Sequence, residues 1–217
     1  MAAFHQILFQ ASRPLTPRRQ SAQSAFTMAD EQQSEDIDED GLTIQAYGST
    51  VLIVVPHEGF DDQALRHVRS SLNNVHVGTR SVSTRSDVSV TGRLQDEFHV
   101  DEDLQSVSME QFVGVVFVGC EEDTAFLSDT DVLRLATAAP ATGMLSGAWG
   151  LSTLALARAG ILRKRKVTGA AAAAREVEHA GGRYDGRQIV VDGNLITGID
   201  ESAGLRLGKA LAEQVRI

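Results

Sequence analysis

Residues 141–160 read ATGMLSGAWGLSTLALARAG, and this nearly uncharged stretch decides the fold. Its pattern predicts a short buried strand, a tight turn over Leu145 to Gly147 and a buried helix that begins at Gly147. Many α/β enzymes place a nucleophile on such a turn, because the N-terminus of the following helix stabilises an anion. Leu145 stands at the predicted apex, and its side chain has no nucleophilic atom. The sequence therefore predicts an enzyme-like turn without a nucleophile.

Two other apolar runs rich in β-branched residues, Val51–Pro56 and Val113–Val118, predict strands that are buried on both faces. Helices are expected from Asp61, over Asp101–Gln111, and from Ser128 to a stop at Pro140. Strands that alternate with helices indicate an α/β fold with a mostly parallel sheet and helices on both faces. Ligands of such sheets bind beyond the carboxyl ends of the strands. The loops expected at that edge are residues 56–62, 119–123 and 145–148.

The C-terminal third contains a predicted helix, a hairpin and a last helix. Alanine-rich residues 170–180 predict a helix that Gly181 ends, because glycine adopts the left-handed conformation past a helix C-terminus. Asp192-Gly193 between two apolar runs predicts a β-hairpin, because this dipeptide supplies the positive φ angles of a tight turn. Residues 208–215 predict a final amphipathic helix.

Length and composition indicate one domain. A chain of 217 residues with 42% hydrophobic content can bury one full core. Its formal net charge of −9 argues against binding to nucleic acid or to an anionic membrane, since both require a positive field. Cys120 is the only cysteine, which suits a reducing compartment, and no apolar run reaches the roughly 20 residues of a membrane span. A cytoplasmic location is the expectation.

Residues 1–48 form a predicted disordered N-terminal extension, and residues 49–217 form the predicted domain. Residues 1–27 contain arginines and no acid, whereas residues 28–41 are rich in Asp and Glu. Neither part shows a sustained apolar period. Three interpretations of residues 1–27 stay open: Met28 is the true start, the segment is disordered without a specific role, or it is an organellar transit segment.

Four short motifs in the second half of the chain carry a family resemblance. They are Ala159-Gly160, Arg165-Lys166-Val167-Thr168, Ala180-Gly181-Gly182 and Val191-Asp192-Gly193-Asn194-Leu195-Ile196-Thr197. In this order and spacing they resemble the PfpI/ThiJ family of the class I glutamine amidotransferase-like superfamily, which includes the parkinsonism-associated deglycase and PfpI-type intracellular proteases. The resemblance covers Ser49 to Val215. It implies a flavodoxin-like three-layer sandwich and a homodimer. We expect no cofactor and no metal.

The resemblance also implies where catalytic residues would lie. The family has a Cys at the elbow, a His or polar residue after it, and a Glu from the first loop. Here residues 59–65 place Ala64 on the Glu, and residues 140–147 place Leu145 on the Cys and Ser146 after it. Val118-Gly119-Cys120 matches the Pro-Gly-Gly loop that helps to form the family's oxyanion hole. An alternative alignment places Gly150 on the Cys, and it too supplies no nucleophile. The pocket predicted from this alignment is lined by Glu58, Ala64, Gly119, Cys120, Leu145 and Ser146.

Two side chains remain as candidate nucleophiles. Cys120 is the only thiol, although the adjacent Glu121 and Glu122 disfavour its thiolate. Ser146 would need a base, and His57 is the nearest candidate. The simpler interpretation is that the Ser146 hydroxyl caps the helix expected at Gly147. The other histidines lack metal-ligand spacing.

We expect a noncatalytic protein that binds a small-molecule ligand or a protein partner. The alternative is a hydrolase, such as a protease or amidase, or a glyoxalase or deglycase-type enzyme with a relocated nucleophile. A third hypothesis is a regulatory module whose acidic N-terminal segment binds a basic partner.

Overall fold

The computed structural model describes residues 36–37, 43–44, 49–84, 89–120 and 125–215. Its strands are β1 Asp36–Ile37, β2 Thr43–Ile44, β3 Thr50–Val55, β4 Glu58–Phe60, β5 Gly78–Ser83, β6 Ser89–Gly92, β7 Glu97–His99, β8 Glu102–Asp103, β9 Gly114–Phe117, β10 Leu145–Trp149, β11 Lys166–Val167, β12 Arg183–Tyr184, β13 Ile189–Asp192 and β14 Leu195–Gly198. Its α-helices are α1 Asp62–Asn73, α2 Thr130–Ala141, α3 Thr153–Arg158, α4 Ala174–His179 and α5 Gly204–Val215. Short 3-10 helices cover Met109–Gln111, Phe126–Ser128, Gly150–Ser152, Ala171–Ala173 and Glu201–Ala203.

Seven strands form the central sheet, in the order β13-β14-β10-β9-β3-β5-β8. All neighbours pair in parallel except β13, which pairs with β14 as an antiparallel hairpin. Helices α1 and α5 cover one face, and α2, α3 and α4 cover the other. The predicted α/β class with a mostly parallel sheet and helices on both faces is therefore confirmed.

The central strands read as continuous apolar runs because both of their faces are buried. Residues 51–55 of β3 and 115–117 of β9 have no exposed side-chain surface. Asp61 ends the loop after β3 and begins α1, where its carboxylate accepts a hydrogen bond from the Ala64 N–H at 2.6 Å. The first predicted βα unit therefore forms as the sequence indicates.

Several predicted helix assignments differ from the structure. Residues 101–111 are not helical: they form β8 and a 3-10 helix, because the Asp101 carboxylate instead accepts a hydrogen bond from the Ser81 N–H and fixes an extended chain. Helix α2 begins after Asp129 rather than Ser128, since the Asp129 carboxylate caps it, and it continues through Pro140 to Ala141. The last helix begins at Gly204, four residues before the predicted start.

The predicted hairpin forms, but its two-residue turn is Gly193-Asn194 and not Asp192-Gly193, because Asp192 still pairs with Leu195. Gly193 has φ 57°, which explains the glycine. Arg165 donates to the Asp192 carboxylate at 3.2 Å and to the Asn194 side-chain oxygen at 3.2 Å. The Asn194 amide in turn donates to the Met144 carbonyl at 2.8 Å, just before β10. Two motifs of the family resemblance therefore act together as a structural clamp.

Of the predicted N-terminal extension, the structure describes only β1 and β2, which pair in an antiparallel fashion. The prediction of disorder for the rest of residues 1–48 lies outside the described residues. Within the described ranges, every helix is too short or too polar to cross a bilayer.

The clamp predicts an acid-sensitive contribution to stability. The backbone N–H of Lys166 hydrogen-bonds to the Asp192 carboxylate and, with the charge of Arg165, lowers the pKa of Asp192. This contribution is present above the unfolded pKa and disappears as the pH falls through the lowered folded pKa. Asp192→Asn should therefore reduce the free energy of unfolding in urea at pH 7, and the difference from wild type should shrink as the pH falls below 3.8, the ordinary pKa of an Asp carboxyl.

The matched control is Asp96→Asn. Asp96 also contacts an arginine, Arg66, but the side chains are 48% and 58% exposed, so the exchange should have little effect at either pH. An Asp192→Asn difference that stayed constant over the whole pH range would contradict this assignment.

Candidate functional site

The turn at the carboxyl end of β10 is formed by Gly150, not by Leu145. Strand β10 continues through Ala148, which pairs with Phe117 of β9, to Trp149, which pairs with Gly198 of β14. Gly150 then has φ 60° and opens the short 3-10 helix that leads into α3. The predicted turn at Leu145 to Gly147 is wrong because both neighbouring strands hold this segment extended. The alternative alignment, which placed Gly150 at the elbow, agrees with this geometry.

Leu145 and Ser146 lie at the opposite, amino end of β10. Ser146 is level with Val115 of β9 and, through it, with Leu52 of β3. His57 comes five residues after Leu52, so it lies about 16 Å further along the sheet. The structure therefore does not bring Ser146 and His57 together, and Ser146 caps no helix. Ser146 is buried in the core, at 2% exposure.

Neighbouring loops hold the Gly150 turn in place. The Ser152 hydroxyl donates to the Val118 carbonyl at 2.5 Å, and the Ala170 N–H donates to the Gly150 carbonyl at 3.1 Å. Gly169 packs against the turn so closely that a Cβ there would lie 2.9 Å from the Gly150 oxygen. The apex thus has a fixed backbone and no side chain.

Trp149 fills the space between the turn and the loop after β9. Its side chain is 1% exposed. A Cβ on Gly119 would lie 2.6 Å from the indole Cδ1, so only glycine fits at this position. Gly119 belongs to the segment that we matched to the family's oxyanion loop from the resemblance. Here it serves to accommodate the indole ring.

Cys120 lies next to Gly119 at the same edge of the sheet. Its thiol is buried and donates a hydrogen bond to the Glu58 carbonyl at 3.2 Å, and its backbone forms an isolated bridge with Phe60. Only the protonated thiol can donate this hydrogen bond, so the contact favours the form that is not nucleophilic. Glu121 and Glu122, which the sequence analysis invoked, lie outside the described residues.

Ala64, which the family resemblance aligns with the catalytic Glu, is buried between helices. It lies in the first turn of α1 and is 1% exposed. A Cβ on Gly204 of α5 would lie 2.7 Å from the Ala64 Cα and 2.9 Å from its Cβ. The two helices touch at this point, and a longer side chain at residue 64 would have to displace α5.

A group of hydroxyls on the other side of the turn was missed by the sequence analysis. The Thr153 hydroxyl donates to the Thr168 carbonyl at 3.0 Å, and the Thr168 N–H donates to the Thr197 hydroxyl at 2.8 Å. The Tyr184 hydroxyl donates to the Gly169 carbonyl at 2.6 Å. Burial raises the pKa of Tyr184, partly offset by a hydrogen bond with Thr168, so Tyr184 is a neutral donor near neutral pH. The adjacent Ser152-Thr153 pair, typical of a helix start, was the signal that could have located this turn.

The structure brings only part of the predicted pocket together. Glu58, Gly119 and Cys120 meet at the carboxyl edge, whereas Leu145 and Ser146 lie at the other end of the sheet. Among the described residues, no group of three His, Cys, Asp or Glu side chains is placed to hold a metal ion. The edge offers backbone groups, hydroxyls and a buried thiol for binding.

Comparisons with known proteins agree with the fold. A sequence model of the DJ-1/PfpI family matches residues 49–214. An uncharacterized protein of Methanocaldococcus jannaschii is 31% identical over 150 residues, which are 68% of this chain and 73% of that protein.

Two solved structures share the architecture. A ThiJ/PfpI domain protein from Brachyspira murdochii superposes with a TM-score of 0.74 at 22% identity, over 77% of this chain and 96% of the other. DJ-1beta of Drosophila melanogaster superposes with a TM-score of 0.68 at 19% identity, over 76% of this chain and 89% of the other. These likenesses confirm the flavodoxin-like fold. The match of the family's sequence model over residues 49–214 shows that the chain belongs to the DJ-1/PfpI family.

Proposed function

We propose that this protein is a noncatalytic member of its family that binds a small molecule or a protein partner at the carboxyl edge of the sheet. The observation that carries the proposal is Gly150 at the turn between β10 and α3. A nucleophile at this turn needs a side chain, and glycine has none. The turn keeps its shape but offers no atom for covalent catalysis.

Two further contacts support the proposal. Ala64 has no carboxylate, and it packs directly against Gly204 of α5. Trp149 occupies the space beside Gly119 with a buried indole, which narrows the region where a substrate carbonyl would need to approach. The position expected to supply the activating acid therefore has no carboxylate, and the space beside the oxyanion loop is filled.

Cys120 supports the enzymatic alternative, because it is a thiol at the same edge. Its hydrogen bond to the Glu58 carbonyl and its burial at 4% exposure argue against attack on a substrate. A catalytic role for Cys120 would require its hydrogen bond to the Glu58 carbonyl to break.

The predicted homodimer and the cytoplasmic location stay predictions alongside this proposal.

The first test measures reactivity of the native protein. Iodoacetamide should label Cys120 slowly in the folded protein and rapidly in urea, because the buried thiol is a hydrogen-bond donor. Turnover of methylglyoxal, of a casein peptide and of glutamine should equal the rate of the buffer alone. Intact-mass spectrometry and product assays give the two readouts.

The controls for this test are Cys120→Ser and Ser146→Ala. Neither exchange should alter the background rate. A wild-type turnover that either exchange abolished would overturn the noncatalytic proposal.

The second test introduces a thiol at the turn. A Cβ at Gly150 would have a single heavy atom within 4 Å, the Gly119 Cα at 3.9 Å, so a side chain has room there. Gly150→Cys should fold with a loss of about 1–2 kcal/mol, the cost of a left-handed backbone for a non-glycine residue. Its new thiol should react with iodoacetamide at least about tenfold faster than Cys120, because a side chain has room there and the chain enters a helix at this residue.

Gly143→Cys is the matched control, since Gly143 also has positive φ (75°) and open space around it, but lies before β10 at the opposite edge. It should lose similar stability and show the reactivity of an ordinary exposed thiol. If the Gly150→Cys variant reacted no faster than wild type, Gly150 would not be an accessible elbow position.

A further inference from the structure

Strand β13 is the outermost strand of the central sheet, beside β14. The Ile199 N–H donates to the Gln188 carbonyl at 2.9 Å, so the backbone of residue 188 faces inward. Inward and outward groups alternate along an antiparallel strand. Val190 therefore also bonds to β14, whereas Ile189 and Val191 direct their N–H and carbonyl groups outward. Within the described ranges, no strand pairs with β13 on its outer side.

The outer edge of β13 is apolar and unprotected. Residues 188–191 contain no Lys, Pro, Asp or Glu, and the pairing with β14 runs without a bulge. Val191 is 48% exposed. The opposite edge strand, β8, consists of Glu102 and Asp103, whose charges discourage pairing with another chain. Only the β13 edge is thus suited to receive a further strand.

The two outward-bonding residues also place their side chains on one face of the sheet. A Cβ on Gly198 would lie 3.6 Å from the Ile189 Cδ1 and 3.2 Å from the Trp149 Cβ, so Ile189 packs on the face that α5 covers. Val191 comes two residues later and points to the same face. Backbone donors, backbone acceptors and an apolar strip therefore lie side by side along β13.

We propose that a second copy of this chain pairs with this edge through its own β13, antiparallel, with Val190 on the two-fold axis. In this register Ile189 of each copy lies opposite Val191 of the other. Each of these pairs exchanges both of its N–H and carbonyl hydrogen bonds, because all four groups point outward. The central sheets of the two copies then form one continuous sheet. The proposal gives the expected homodimer a defined surface.

The polar groups that flank the strip are complementary in the same register. Gln188 lies opposite Asp192 of the other copy, whose side chain is 34% exposed and accepts hydrogen bonds. Arg187 lies opposite Gly193, which has no side chain to obstruct it. The Cα atoms of the two Arg187 residues are about 20 Å apart along the strands, beyond the Debye length of about 10 Å. No like charges therefore meet across the axis.

The two neighbouring registers fit less well. Pairing centred on Ile189 would set the charged Arg187 opposite Val191. Pairing centred on Val191 would set Asp192 opposite Val190. Only the register centred on Val190 pairs apolar side chains with apolar side chains throughout.

The contact is small, because β13 has four residues. Small interfaces join proteins transiently, so we expect a dissociation constant on the order of micromolar. The surface uses none of the residues of the proposed binding site, and its test is independent of the reactivity tests above.

Sedimentation equilibrium of the full chain tests the surface. Val191→Lys should raise the dissociation constant at least about tenfold, because it removes the apolar contact and sets two cations diagonally across the axis. Leu205→Lys is the matched control: Leu205 is 44% exposed and lies between α5 and α1, in a groove that it shares with His67. This exchange should leave the dissociation constant unchanged. Both variants should keep the wild-type urea midpoint, since both side chains are at the surface.

A cysteine on the two-fold axis tests the register. In a Cys120→Ser background, Val190→Cys should form a disulfide between copies on mild oxidation, seen on a non-reducing gel. The Cα atoms of such a non-hydrogen-bonded pair are about 4.5 Å apart, within the disulfide range of about 4.4–6.8 Å. Val113→Cys, at an exposed position just before β9, is the control and should stay mainly monomeric.

Three results would overturn the proposal. The first is a wild-type chain that stays monomeric up to about 300 µM, far above the expected dissociation constant. The second is a dimer that Val191→Lys leaves intact, whether or not Leu205→Lys dissociates it. The third is a Val190→Cys variant that sediments as a dimer but forms no disulfide.

Discussion

The pairing of β10 with β9 and β14 is the constraint on which the candidate site depends. Hydrogen bonds on both sides hold Leu145 to Trp149 extended, so the chain can turn only at Gly150. In this register Ser146 lies at the amino end of the sheet, and Trp149 packs against Gly119. One strand thus determines which residue stands at the elbow and what surrounds it.

The sequence predicted the architecture because the relevant signals are local. Continuous apolar runs predicted β3 and β9, Asp61 predicted the start of α1, and the Asp192-Gly193 dipeptide predicted the hairpin. The family motifs were informative for the same reason. Arg165, Asp192 and Asn194 are held in one clamp, so their spacing reflects the fold rather than any chemistry.

The site was predicted less accurately than the fold, because its position depends on the residue at which β10 ends. Glycine, alanine and serine in residues 146–148 suit a turn by propensity, yet two neighbouring strands keep them extended. Tertiary pairing overrides local preference in such cases. The wrong prediction placed the elbow at Leu145 instead of Gly150 and gave Leu145 and Ser146 a role they do not have. The cluster of hydroxyl side chains around Thr168 could not be predicted, because its members are far apart in the sequence and meet only in the fold.

The contact between α1 and α5 also limits which side chains position 64 can hold. Gly204 packs against Ala64, and Gly208 packs against Ser71, where a Cβ would lie 2.7 Å from the serine oxygen. With the helices at this distance, a glutamate at residue 64 would fit only if α5 moved away. A cysteine introduced at residue 150 would therefore gain no carboxylate from position 64 unless the packing of the two helices changed as well.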